Sequence, residues 1–414
     1  MAHSFPSDVF TTPDAFPIFS LNVGRGLLPL AVTLVTLGTP GVAAAADETV
    51  TLTLDRARAA YGATVGATGT VMPAAEGSTV VLERLNGAGT WEVLGTAATD
   101  AAGAFTASFV AAARGPVRAR LESSGALSPE LSLSVVPKVE VNRPRGKAFL
   151  GARLVAYVAP LAYEERVVVR VKKYGRVVGH VSALVKDGIL RVRVPTPGIG
   201  RFYLRLSFPA SGDVDALNVF TRARASARTL AVGSRGADVR ALERRLKQLR
   251  FRVSGVNRYF TFTTFDSVVA FQKAYGLSRT GVVGSGTWNM LGKARVLRPR
   301  YSTPSPHIEI NKTRQILMVV RKGAVDSIIP ISSGATGNTP VGAFRILWKA
   351  PATSTWLGSA ILYRTMTFHG NFAIHGYPSV PVYPASHGCV RVPMWLADWL
   401  YQQSPVGERI YIYS

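Results

Sequence analysis

The sequence predicts a multidomain chain, mainly β, with a single helical segment ahead of a β-rich C-terminal domain. Three observations carry that prediction. The chain has 414 residues, and at roughly 100–200 residues per domain this means two to four domains. Short strand-like runs separated by Gly, Pro and Asn-Gly punctuation fill residues 47–225 and 307–414. Helical spacing of apolar residues replaces this pattern only between 226 and 293.

Residues 1–46 read as an export signal. Arg25 precedes an uncharged stretch whose apolar heart is Leu27–Leu37, and Ala43–Ala46 then lead into Asp47-Glu48. A positive flank, a short apolar core and a small-residue site make a secretory signal peptide. Gly38, Pro40 and Gly41 interrupt the stretch, which favours cleavage over an uncleaved anchor, although about 20 apolar residues can just span a bilayer. The segment before Val23 is too long and too weakly basic for a signal start, so translation is expected to begin at Val23. Membrane association is expected only if the signal stays attached.

Residues 47–136 and 137–225 resemble one another. Gly103 lies twelve residues before Gly115-Pro116-Val117, and Gly188 lies twelve before Gly200-Arg201-Phe202; Gly62 and Pro73 mirror Gly151 and Pro160. A period near 88 residues suits two immunoglobulin-like β-sandwiches in tandem, with one larger β domain as the alternative. Neither carries a catalytic cluster, so their expected role is spacing.

Within 226–293, Val239, Leu242, Leu246 and Leu249 share one helical face, with Asp238 placed to cap or charge-stabilise the start. A second helix is predicted near Phe265–Ala274, stopped by Gly276, and a third from Ser285 through Trp288 and Leu291. The run Leu230…Gly233…Gly236-Ala237-Asp238-Val239, then Phe271-Gln272…Gly281-Val282-Val283-Gly284…Thr287-Trp288, resembles the three-helix peptidoglycan-binding domain. These are mostly packing positions, and none names a ligand contact. Residues 294–306, rich in Arg, Pro and Ser, read as a linker.

Lys and Arg number 48 against 24 Asp and Glu, a formal charge of +24. Such an excess implies anionic surroundings. The cations are spread along the whole chain, and zinc-finger spacing, an Arg-rich arm and an RNP-like motif are missing, so anionic wall polymers are expected as partners and nucleic acid is not.

The chemistry concentrates near the C-terminus. The chain has one cysteine, Cys389, and three of its six histidines (His369, His375 and His387) lie within the twenty residues before it. A thiol close to imidazoles and to Arg391 is expected to ionise near neutral pH and act as a nucleophile. Gly388 allows a tight bend that would aim its N–H and that of Cys389 at an oxyanion. Zinc ligation by His369, His375, His387 and Cys389 is a rival reading, although His-x-Cys spacing suits tetrahedral ligation poorly. A structural role for the histidines is a second rival. Papain-type and caspase signatures are absent.

Four pieces in order, Ile308-Glu309-Ile310-Asn311, Ile331-Ser332-Ser333-Gly334…Thr339-Pro340-Val341-Gly342-Ala343-Phe344, Ile374-His375-Gly376 and Ser386-His387-Gly388-Cys389-Val390-Arg391, resemble the L,D-transpeptidase (YkuD-type) catalytic domain, over 307–414. The resemblance implies Cys389 as the acylated nucleophile and His375 as its base, oriented by the Gly376 carbonyl. It implies an oxyanion turn from His387, Gly388 and Cys389, substrate positioning by Arg391, and a loop steadied by Ser386. Phe368 and Tyr383 are expected in the pocket wall, and His369 as structural. The implied substrate is a peptidoglycan tetrapeptide stem joined to an acceptor stem by a 3→3 cross-link, without a metal or organic cofactor. A monomer working outside the cytoplasm, in the cell wall or at the membrane, is expected. The loop from His375 to Ser386 holds Pro378, Pro381 and Pro384 and lacks a glycine many relatives carry before Ser-His-Gly-Cys.

Overall fold

The computed structural model describes residues 47–354 and 361–414; the expected signal and start site lie outside them. In residues 49–136 the strands form two sheets. Thr64–Met72 pairs with Thr49–Val50, Thr53–Leu54 and Ala104–Val110, while Arg58–Ala60, Leu131–Val136, Gly115–Leu121, Thr79–Leu85 and Trp91–Ala98 form the other in that order. Side chains alternate between faces of a strand, so Val65, Ala67 and Val71 from one sheet meet Leu82, Val117 and Ala119 from the other in one apolar core.

Residues 138–226 form an eight-stranded sheet. The alternation is strict in Arg166–Lys173, where Val167, Val169 and Val171 are fully buried and Arg166, Val168, Arg170 and Lys172 are exposed. The core of this module is continuous with that of the first, from Val50 to Ala225. The repeat in the sequence has a backbone cause. Gly62 and Gly151 both have φ +79°, and Gly103 and Gly188 have φ +76° and +69°, a region that glycine enters without penalty. A Cβ on Gly103 would also lie 2.4 Å from the Val71 carbonyl oxygen.

Three helices follow: α1, Ala237–Gln248; α2, Phe262–Ala274; and α3, Ser285–Lys293. Val239, Leu242 and Leu246 are fully buried on α1, as the spacing requires. Asp238 lies inside the first turn rather than at the cap, which is Gly236. Its carboxylate accepts Arg228 Nε–H at 2.7 Å, and that bond holds it below the usual carboxylate range. Helix α2 starts three residues before the predicted Phe265 because Phe262, 76 % exposed, interrupts the apolar pattern.

Residues 307–413 build two sheets around a third core. One has the order Ala324–Pro330, Ile316–Arg321, His307–Asn311, Arg409–Tyr413, Gly342–Arg345; the other runs Trp348–Ser354, Ile361–His369, Phe372–Tyr377, Val390–Pro393. Ile308, Ile310, Ile329, Met366, Ile374 and Val390 pack between them, with Leu396 and Leu400 of helix α4, Met394–Gln403. The segment read as a linker is clamped to this domain: the Arg300 and Tyr301 N–H groups donate to the Glu309 carboxylate at 2.9 and 2.8 Å, and Tyr301 stacks on Tyr411.

The helical segment docks on the same domain. Ile328 N–H donates to Arg250 O at 2.7 Å and Arg252 N–H to Ile328 O at 3.0 Å, so the chain after α1 extends the sheet edge. Trp395 Nε1–H donates to Asp266 at 2.8 Å. Lys273, 1 % exposed, donates from Nζ to Ile331 O at 2.7 Å. Burial lowers its pKa to about 7, with Arg279 adding to the shift. Between pH 7 and 10 the unfolded chain therefore keeps a proton that the folded chain has lost, and stability rises with pH there, by at most about 1.4 kcal/mol per pH unit. Lys273→Met is expected to flatten this rise, read from urea unfolding at pH 7 and 9.5.

Candidate active site

The strands Phe372–Tyr377 and Val390–Pro393 run parallel, with Ile374 opposite Val390 and His375 opposite Arg391. Cys389 immediately precedes the second strand, so this register brings the two sequence-predicted groups to one end of the sheet. Cys389 is half-buried; its Sγ–H donates weakly to Asn371 O at 3.6 Å.

His375 is 2 % exposed. Its Nδ1–H donates to Gly376 O at 3.0 Å; a carbonyl can only accept, which leaves Nε2 as the free base. Burial lowers its pKa to about 4, the Arg391 charge acting in the same direction. Gly376 also lets α4 approach, since a Cβ there would lie 2.7 Å from Ala397 Cβ.

Burial raises the Cys389 thiol above its ordinary range, against opposing pulls from the Ala373 N–H and Arg391. This corrects the expectation of a thiolate at neutral pH. Desolvation outweighs nearby positive charge, and the resting pair is a neutral thiol with a neutral imidazole.

The turn before Cys389 is held from several sides. Ser386 Oγ–H donates to Cys389 O at 2.5 Å and accepts the Gly388 N–H at 3.0 Å. Asn338 Nδ2–H donates to His387 O at 2.7 Å, and Thr339 Oγ1–H to Gly388 O at 2.6 Å. Ser332 Oγ–H donates to Tyr383 O at 2.7 Å. The Gly388 N–H is thus engaged by Ser386, contrary to its expected role as an oxyanion donor. Gly388 C=O and Cys389 N–H belong to one planar trans unit, so the Thr339 bond turns the Cys389 N–H the other way. That N–H makes no hydrogen bond among the described residues. Asn338 and Thr339 were missed as site residues, though Thr339 sits in the quoted Thr-Pro-Val-Gly run; their partners are 49 residues away.

The remaining predicted residues divide. The Arg391 guanidinium lies 4.4 Å from the Tyr377 ring centre. His387 is exposed and contributes its anchored carbonyl. Tyr383 is 61 % exposed. Phe368, expected in the pocket wall, is 2 % exposed and packs in the core against Phe344; the four residues Thr365–Phe368 are all buried, and His369 at the strand end is exposed and stacked on Phe372. Among the described residues no three His, Cys, Asp or Glu side chains are grouped to hold a metal ion, so the zinc reading has no geometric support.

Gly388 has φ +135°, and a Cβ on it would lie 2.4 Å from the Phe372 ring. Gly388→Ala is expected to lower the acylation rate by about 10²-fold while the protein still folds, because misplacing the reacting atoms by about 1 Å costs that much. Stopped-flow acylation beside a melting curve measures both.

The family model of the L,D-transpeptidase catalytic domain, YkuD, matches residues 305–412. Residues 305–412 belong to that family. A second model, described as a putative peptidoglycan binding domain, matches residues 235–291. Similar solved structures include the L,D-transpeptidase of Xylanimonas cellulosilytica DSM 15894, at 35% identity over 45% of this chain and 98% of that one, with a TM-score of 0.44. The L,D-transpeptidase of Stackebrandtia nassauensis is 20% identical over 45% of this chain and 95% of that one, TM-score 0.31. That of Mycobacterium smegmatis is 12% identical over 67% and 97%, TM-score 0.25. Among curated proteins none matches the chain. The L,D-transpeptidase and peptidoglycan-binding domains make peptidoglycan the partner and a peptidoglycan cross-linking transpeptidase the supported activity.

Proposed function

We propose that the protein is a cysteine-dependent L,D-transpeptidase that forms 3→3 cross-links between peptidoglycan stems. One observation carries the reading: a buried, neutral His375, its tautomer set by Gly376 O, lies on the strand paired to the one that Cys389 opens. In the proposed reaction Nε2 of His375 takes the thiol proton as Sγ attacks the carbonyl of the third, diamino residue of a donor tetrapeptide stem. The Cys389 N–H, unengaged by the fold, faces the developing oxyanion. The imidazolium returns the proton to the departing D-alanine amine, leaving a thioester. An acceptor amine then attacks the thioester, transfers its proton to His375 and frees the thiol. Arg391, seated on Tyr377, positions the stem.

The two β modules are read as immunoglobulin-like spacers, and the protein as exported to the wall, where its positive charge holds it near anionic polymers. Water as acceptor would instead make an L,D-carboxypeptidase, and an inert site would leave a wall-binding protein. Intact-protein mass spectrometry with a disaccharide-tetrapeptide separates the three. An adduct followed by cross-linked dimer supports the proposal, and an adduct with tripeptide alone indicates hydrolysis. No adduct from folded protein across pH values leaves only wall binding.

A further inference from the structure

The second β module places its cations against one another. On the exposed face formed by Arg176–Leu184, Arg166–Lys173, Gly200–Phe208 and Leu217–Ser226, Arg170 stands directly opposite Arg205, and Arg201 opposite Arg224. Between these rungs, Lys172, Tyr203 and Arg222 line up across three strands. All six cations are exposed, and these four strands contain neither Asp nor Glu. None of the six has a carboxylate within 4.0 Å among the described residues. The first module behaves differently: Arg84 pairs with Glu92, and Arg118 and Arg120 with Glu83.

Like charges directly opposed across strands destabilise a sheet. Arg205 Nε–H donates to Asn218 Oδ1 at 3.0 Å and Arg222 lies over the Tyr203 ring, but neither partner carries a charge, so an anion laid on this face would relieve the repulsion; the sheet offers about 6.8 Å between same-face residues along a strand and about 4.8 Å between strands. A flat grid of this spacing suits a linear chain carrying one negative charge per repeat rather than a small ion. Five of the six cations are Arg, whose planar fork matches phosphate oxygens. A bilayer would call for a broad apolar face, whereas the exposed aromatics Tyr203 and Phe220 stand singly among the charges.

We infer that this sheet face is a docking surface for a linear phosphodiester polymer of the cell wall, holding the enzyme beside its substrate. The choice of a wall polymer over nucleic acid rests on the proposed function. Six of the chain's 48 Lys and Arg residues are thereby gathered on this one face.

The test uses the purified full chain and poly(glycerol phosphate), with binding measured at 50 and 200 mM salt. Arg170→Gln/Lys172→Gln/Arg205→Gln/Arg222→Gln is expected to weaken binding by about 10²-fold and to flatten the salt dependence. Arg240→Gln/Arg244→Gln, which removes exposed charge from α1, is expected to change it less than about threefold. Equal losses per charge in both variants would overturn the inference, as would tighter binding to single-stranded DNA or to anionic phosphatidylglycerol vesicles than to the polymer. Acylation by a tetrapeptide stem is followed in parallel. If polymer binding is absent while acylation persists, the inference fails and the enzymatic reading stands; if acylation is absent with polymer binding intact, the enzymatic reading fails instead.

Discussion

Cys389→Ala is expected to abolish the thioester adduct and to reduce cross-linking by at least about 10⁴-fold, because a nucleophile that forms a covalent intermediate has no substitute. The fold should barely notice. The side chain is half-buried, and its one donated hydrogen bond, to Asn371 O, is long, so stability should change by no more than about 1 kcal/mol. Intact mass, product analysis and a melting curve on the same preparation separate loss of chemistry from loss of structure. Cys389→Ser is expected to be nearly as inactive, since burial, which already raises the thiol, would leave a far more basic hydroxyl protonated. A full-strength adduct on the alanine variant would overturn the assignment.

His375→Asn is expected to cost about 10²–10⁴-fold in acylation rate, the range of a lost general base. The pH dependence distinguishes this from a packing defect. With its pKa lowered to about 4, His375 stays unprotonated through mildly acidic pH, so the acid limb of the wild-type profile should fall near pH 4 rather than 6.5; the variant should lack that limb. Stability follows the same proton. Between pH 6.5 and 4 the unfolded imidazole binds a proton that the folded one refuses, so wild-type stability falls as pH falls through this window and levels off below it. The variant should lose that dependence as well. An acid limb in the variant identical to that of the wild type would show that His375 is not the base.

Much of the architecture was legible in the residues. Alternation in runs such as Arg166–Val171 marked strands because one face of a sheet is buried, and Val239, Leu242 and Leu246 marked a helix because one stripe is. The start of α2 was misjudged because its first turn pairs an exposed Phe262 with the polar Thr263 and Thr264, and apolar periodicity does not register such a turn. Phe368 was misplaced for a related reason: composition names an aromatic, while strand register decides whether it faces a pocket or a core.

For the site, the chain order of His375, Ser386, Gly388 and Cys389 was enough to name the groups that the proposed reaction uses, because their chemistry resides in the side chains themselves. Their protonation was not. Nearby cations suggested a thiolate, and only the folded structure shows desolvation winning over Arg391 at Cys389 and acting together with it at His375. Likewise, Asn338 and Thr339 hold the carbonyls of His387 and Gly388 from 49 residues away. The sequence by itself determined where most strands and helices fall and which side chains the proposed reaction would use, since both depend on local residue identity. Tertiary structure alone decided the charge state of those atoms, the direction of the Cys389 N–H and the gathering of six cations on one sheet face, because burial, long-range hydrogen bonds and strand register arise only when distant segments pack together.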